Sequence, residues 1–217
     1  VRNCHESCHS FCHDSLHHTP PTVQRVVTHT DRRTSDGLRT AGHSPSVVAA
    51  DPMGQADGMT DRRSQDAAIN RDLWRAVNER YTDGQADQKW AAEDIAWGIF
   101  DIPEEQVDVL GDVAGLDVVE LGCGTAYFSA WLARRGARPV AVDLTDAQLA
   151  SARRCQEQYD LHFPLIEADA TAVPLPDESF DLALSEYGAS LWCDPDGWIG
   201  EAARLLRPGG RLVFLTN

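Results

Sequence analysis

The residues whose types and spacing suggest chemistry lie in one stretch, VVELGCGTAYFSAWLARRGARPVAVD, residues 118–143. Glu120 stands near the end of an apolar run, and Gly122 and Gly124 flank Cys123 directly after it. A second apolar run ends in Asp143, nineteen residues beyond Gly124. Glycines between a strand and a helix let the backbone turn sharply and let a ligand come close. The helix that follows offers free amides and a partial positive charge. An acid at the end of the next strand can accept hydrogen bonds from both hydroxyls of a ribose; the competing role is a turn or capping aspartate. The pattern therefore expects a nucleoside. Two departures from a dinucleotide fingerprint narrow it. Tyr127 occupies the third glycine position, and Glu120 is awkward beside a pyrophosphate yet welcome beside an ammonium or sulfonium. The sequence thus favours a cationic, phosphate-free nucleoside over a nicotinamide dinucleotide.

The elements that must hold these residues alternate. Helices are expected over residues 66–80 and 91–100, the latter stopped by Pro103. Strands are expected over residues 118–121, 140–142, 163–166, 180–184 and 212–215. Between them fall a helix over 127–135 ended by Gly136, a helix opened by a capping box at Thr145 and Gln148, and a helix capped by Asp196. Continuous apolar strands alternating with helices imply a parallel sheet buried on both faces, with right-handed crossovers. The expected fold class is α/β: a Rossmann-like, doubly wound, mainly parallel sheet of five strands, with its ligand beyond the carboxyl ends of the strands.

Composition divides the 217-residue chain. Seven of the eight histidines precede residue 44, three of the six cysteines precede residue 13, and all six tryptophans follow residue 70. Residues 1–58 hold too little apolar surface to offset ordering entropy and are expected to be a disordered tail, or sequence upstream of a start at Met53 or Met59. Its Cys-His pairs at Cys4-His5, Cys8-His9 and Cys12-His13 repeat every four residues, but nothing apolar surrounds them, and no metal site is expected. Residues 59–115 read as a helical lead-in and cofactor lid, and 116–217 as the core. Cys123, Cys155 and Cys193 are scattered, as in a reduced, cytoplasmic protein. The chain has 34 acidic against 19 basic residues and a formal net charge of -15, which argues against nucleic acid and anionic membranes as partners. No run reaches the length of a membrane span.

The ordered segments VVELGCGTA, VAVD, EADATAVPLPDESFDLALSEYGAS and EAARLLRPGGRLVFLT resemble the successive motifs of class I S-adenosylmethionine-dependent methyltransferases, in particular the small-molecule "type 11" domain. The resemblance spans residues 118–215, with Ala126 where many members carry another glycine. It implies S-adenosyl-L-methionine as cofactor and methyl transfer to a small-molecule acceptor. It implies that Glu120, Gly122, Cys123 and Gly124 hold the methionine part, Asp143 the ribose, and Leu144, Asp169 and Ala170 the adenine. It also implies that Ser185, Glu186 and Tyr187 face the methyl group, with Glu186 or Tyr187 the candidates for a base. Tyr81 and Trp90 are expected either to close over the methionine end or to pack in the core or on the surface, Trp192 to pack or to wall the acceptor pocket, and Trp198 to pack. Members of this family continue beyond a fifth strand, so the final strands are expected to be missing here and the apolar RLVFL left as an open edge. A non-catalytic cofactor-binding remnant is the alternative, and a Rossmann oxidoreductase the less favoured one.

Overall fold

A computed structural model describes residues 22–27 and 52–216, with side chains from residue 65 onward. Chain order is β1 (Thr22–Val27), α1 (Pro52–Val77), a π-helical segment (Asn78–Thr82), α2 (Asp83–Ala91), β2 (Ala96–Trp97), β3 (Ile102–Pro103) and α3 (Glu104–Val107). The core follows with β4 (Asp117–Leu121), α4 (Tyr127–Arg134), β5 (Arg138–Asp143), α5 (Asp146–Tyr159), β6 (Leu165–Glu167), β7 (Phe180–Glu186), α6 (Ala189–Trp192), α7 (Pro195–Leu205) and β8 (Leu206–Thr216).

The main sheet runs β1-β8-β7-β4-β5-β6. Its five core strands are parallel, as expected for βαβ crossovers, and β1 lies antiparallel along β8. The period-two alternation of the strands divides their side chains between two cores. Val118, Leu182, Leu184, Val213 and Leu215 face one layer with Phe128 and Leu132 of α4. Val119, Leu121, Ala183, Leu212 and Phe214 face the other with Trp198 and Leu205 of α7. Both faces are therefore covered by helices, and the ligand-accessible surface is the end of the sheet where β4, β5, β6 and β7 finish.

Several expectations need correction. Residues 91–100 do not form a helix: α2 ends at Ala91, and the chain turns into the two-residue hairpin β2–β3. Buried Glu104 holds that hairpin by accepting from the Trp97 indole and from the Leu110 amide. The capping box at Thr145 does not form; its hydroxyl goes to Asp143, while Gln148 accepts from Asn78 and Thr82. The cap of α7 is Asp194, not Asp196, and accepts from the Gly197 amide. The β8 edge is not open, because Thr22–Val27 pairs along residues 211–216. That strand and the start of α1 fall within the stretch expected to be a tail; the Cys-His pairs lie outside the described residues. Trp90 is fully buried, donates to the Thr125 carbonyl and stacks on Tyr159 and Phe163, so it buttresses the glycine loop from behind.

The ends of β4 and β7 meet backbone to backbone. A Cβ on Gly122 would lie 2.5 Å from the Ala189 nitrogen and 2.7 Å from the Gly188 Cα, and a Cβ on Gly188 would collide with the Gly122 carbonyl. No side-chain movement relieves a backbone clash, so Gly188→Ala is expected to cost at least about 1–3 kcal/mol, the usual range for overpacking. Urea unfolding of the variant checks this; an unchanged midpoint would contradict it.

Candidate functional site

A cavity of about 220 Å³ opens where the parallel strands end. Its floor is built from the β4 end and glycine loop (Glu120, Gly122, Cys123, Gly124, Thr125), the β5 end (Asp143, Leu144), the β6 end (Asp169, Ala170) and the β7 end (Glu186, Tyr187). All of these except Thr125 were picked out from sequence. The two other selections lie elsewhere. Ser185 is fully buried; its hydroxyl donates to the Leu121 carbonyl at 2.8 Å and accepts from the Ser190 amide, tying the β4 end to α6. Tyr81 is 51% exposed, beneath the Arg80 guanidinium, and does not line the cavity.

The loop has the geometry of a turn held in place. The amides of Gly122 and Cys123 both donate to the Val142 carbonyl at 2.9 Å, so the loop stays docked on β5. Gly122, Gly124 and Ala126 have left-handed backbones, with φ of 76°, 53° and 59°. An alanine held in that backbone, as Ala126 is, is strained. Gly122 owes its identity to the contact with Gly188 as well as to its φ, whereas a Cβ on Gly124 would make only an ordinary contact with the Gln148 side chain, at 3.8 Å.

The carboxylates are the site's chemistry. Glu120 is completely desolvated and accepts from the Ser129 amide and hydroxyl; burial pushes its carboxyl from an ordinary 4.5 up to about 8. Asp143 accepts from the Gly124 amide at 2.8 Å and the Thr145 amide at 2.9 Å, and burial raises it to about 6. Glu186 accepts from the Gly98 amide at 3.1 Å and the Tyr127 hydroxyl at 2.9 Å, and burial raises it too. Asp169 accepts from the amide and hydroxyl of Thr171 through one oxygen. Among the described residues, no lysine, arginine or histidine lines the cavity. Burial pushes the Cys193 thiol up to about 12 and the Cys123 thiol well above its ordinary value, so neither is a thiolate at neutral pH.

Of the roof, the sequence points only to Trp192. Asn70 and Trp74 of α1 and Thr82 line the cavity together with Trp192. Trp74 and Trp192 meet edge to face at 5.1 Å, and Asn70 donates to the Trp192 carbonyl at 2.8 Å. Arg75 binds Asp146, and Asn78 binds Gln148 and Ser151, fixing the lead-in across α5. Nothing in the periodicity of α1 marks these contacts; the one available signal was a tryptophan on an otherwise polar helix.

Residues 119–214 match the family described as "Methyltransferase domain". The demethylmenaquinone methyltransferase of Thermus thermophilus is 38% identical over 111 residues, covering 50% of this chain and 50% of that protein. The malonyl-[acyl-carrier protein] O-methyltransferase of Serratia marcescens is 35% identical over 117 residues, covering 54% of this chain and 44% of that protein. The chain thus spans about half the length of the curated relatives it matches. A solved protein of Methanococcus maripaludis, assigned as an S-adenosyl-L-methionine-dependent methyltransferase, superposes with a TM-score of 0.53 at 18% identity, covering 64% of this chain and 62% of that one. At that identity it supports the fold alone. No helix among the described residues is long and apolar enough to cross a membrane.

The raised carboxyl of Glu120 sets a pH dependence. As pH rises from about 4.5 to about 8, the unfolded chain loses this proton before the folded one, so stability falls across that window and no further above it. Glu120→Gln is expected to remove this part of the slope and so to gain on the parent chain as pH rises, leaving a shallower fall that belongs to Asp143, below about 6, and to Glu186. Denaturant midpoints at pH 4.5, 6 and 8 measure it; a constant difference would contradict it.

Proposed function

We propose, from the membership of residues 119–214 in the methyltransferase-domain family, that this chain binds S-adenosyl-L-methionine and directs its methyl group to a small-molecule acceptor. The observation that carries the reading is a cavity lined by four carboxylates and no cationic side chain, beside a glycine loop and a helix N-terminus. That donor set suits a sulfonium and an ammonium and opposes a pyrophosphate, which disfavours a dinucleotide. The names of the relatives, acting on demethylmenaquinone and on a malonyl group, support a transfer to small groups of this kind.

In this reading Glu120 faces the ammonium end through the loop, and Gly122, Cys123 and Gly124 form the bed for the methionine part. Asp143, whose oxygens already accept the Gly124 and Thr145 amides and the Thr145 hydroxyl, keeps acceptor capacity for one ribose hydroxyl. Leu144 and Ala170 flank the adenine, and Asp169 accepts from its amino group. When bound, the cofactor supplies an electrophilic methyl group on sulfur. The protein's part is alignment and exclusion of water, with the Trp74–Trp192 roof closing the cavity. Glu186 is the group available to take a proton from an O–H or N–H acceptor, and Tyr127 holds its carboxylate in place. Tyr187 is a wall residue whose phenol burial keeps neutral.

Calorimetric titration of S-adenosylhomocysteine into the chain tests this. Binding in the micromolar range is expected, lost in Asp143→Ala. A folded, monodisperse protein that does not bind would overturn the cofactor reading, and so would tighter binding of NADH.

A further inference from the structure

Charge is sorted between the cavity and the rest of the molecule. Outside the cavity, acids pair with arginines: Asp83 with Arg154, Asp117 with Arg138 and Arg207, Asp146 with Arg75, Asp177 and Glu201 with Arg204. Inside it, Glu120, Asp143, Asp169 and Glu186 are held only by neutral donors, namely amides and the hydroxyls of Ser129, Tyr127 and the two threonines. Lys89, the one lysine of the sequence, stops behind Tyr127, 5.4 Å from its ring centre and within 4.0 Å of Asp101, and does not line the cavity.

The cofactor's net single positive charge offsets at most one of these acids, and its ammonium belongs to the Glu120 side. Glu186 lies on the other side, at the end of β7, the strand beside β4 away from β5 and β6. It shares the cavity with Trp74, Tyr127, Tyr187 and Trp192. An anionic group there would meet a buried carboxylate across low-dielectric walls, with Lys89 acting on it only from behind Tyr127 and, among the described residues, no cationic side chain in the cavity itself. A ring with a hydroxyl or amine would meet aromatic faces and a carboxylate with acceptor capacity left.

We infer that the acceptor carries no carboxylate or phosphate, and that it presents a hydroxyl or amine to Glu186 with a planar body against the aromatic walls. This rests on the cofactor reading above. It sets the chain apart from its Serratia marcescens relative, whose named acceptor group, malonyl, bears a free carboxylate.

The test uses the full chain loaded with S-adenosylhomocysteine and two probes sharing one ring, tyramine and 4-hydroxyphenylacetate, in equilibrium titrations at pH 7.5. Tyramine is expected to bind at least tenfold more tightly, and the preference is expected to shrink in Glu186→Gln or, if that variant does not fold, in Glu186→Ala. Equal affinities, including no measurable binding of either probe, or a preference for the acid, would overturn the inference. So would a preference unchanged in the variants. Failure to load S-adenosylhomocysteine would instead overturn the cofactor reading, which keeps the two failures apart.

Discussion

A carboxylate taken out of water costs several kcal/mol unless other dipoles replace its hydration. Three acids here, Glu120, Asp143 and Glu186, are desolvated around one cavity without an ion pair between them. What replaces the water is backbone. The amides of Gly124, Thr145, Ser129 and Gly98 all point at carboxylate oxygens, and each comes from a segment that the fold must hold rigid to keep it there. The site therefore depends on precise loop placement more than on any one side chain, and its raised carboxyls are groups that an arriving cation helps to ionise.

The scaffold supplies that placement through parallel pairing and two close approaches. β4 and β5 bring Glu120 and Asp143 to the same end of the sheet, and the docking of Gly122 and Cys123 on Val142 fixes the loop between them. The contact of Gly122 with Gly188, together with the Ser185 hydroxyl on the Leu121 carbonyl, locks β7 beside β4 and so sets where Glu186 emerges. The lead-in closes the other side. Its hairpin contributes the Gly98 amide to Glu186, and α1 lays Trp74 against Trp192.

Much of this was legible in the chain because it is local. A glycine pair between an apolar run and an amphipathic helix, followed by an acid after the next apolar run, fixes both the floor of the site and the order of the strands. Misreadings arose where long-range contacts override local pattern. Residues 91–100 look helical by composition, yet Glu104 captures Trp97 and folds them into a hairpin. Thr145 has the form of a cap, yet Asp143 takes its hydroxyl because that buried acid needs donors more than the helix needs a cap. Ser185 follows the motif into the site region, but its hydroxyl is spent on the Leu121 carbonyl. Of the roof only Trp192 was legible; Asn70 and Trp74 were not, since they meet Trp192 across more than a hundred residues of sequence.

The central claim is that the desolvated acids are poised for a cation. Because the Glu120 carboxyl lies near 8, it is largely protonated at pH 7, and an ammonium arriving beside it must draw that proton off. The direct measurement is calorimetric titration of S-adenosylhomocysteine at pH 7 in two buffers of different ionisation enthalpy, which counts protons exchanged on binding. Net release of a substantial fraction of a proton, abolished in Glu120→Gln, is the predicted result. Binding with no proton release, or with uptake, would contradict the account.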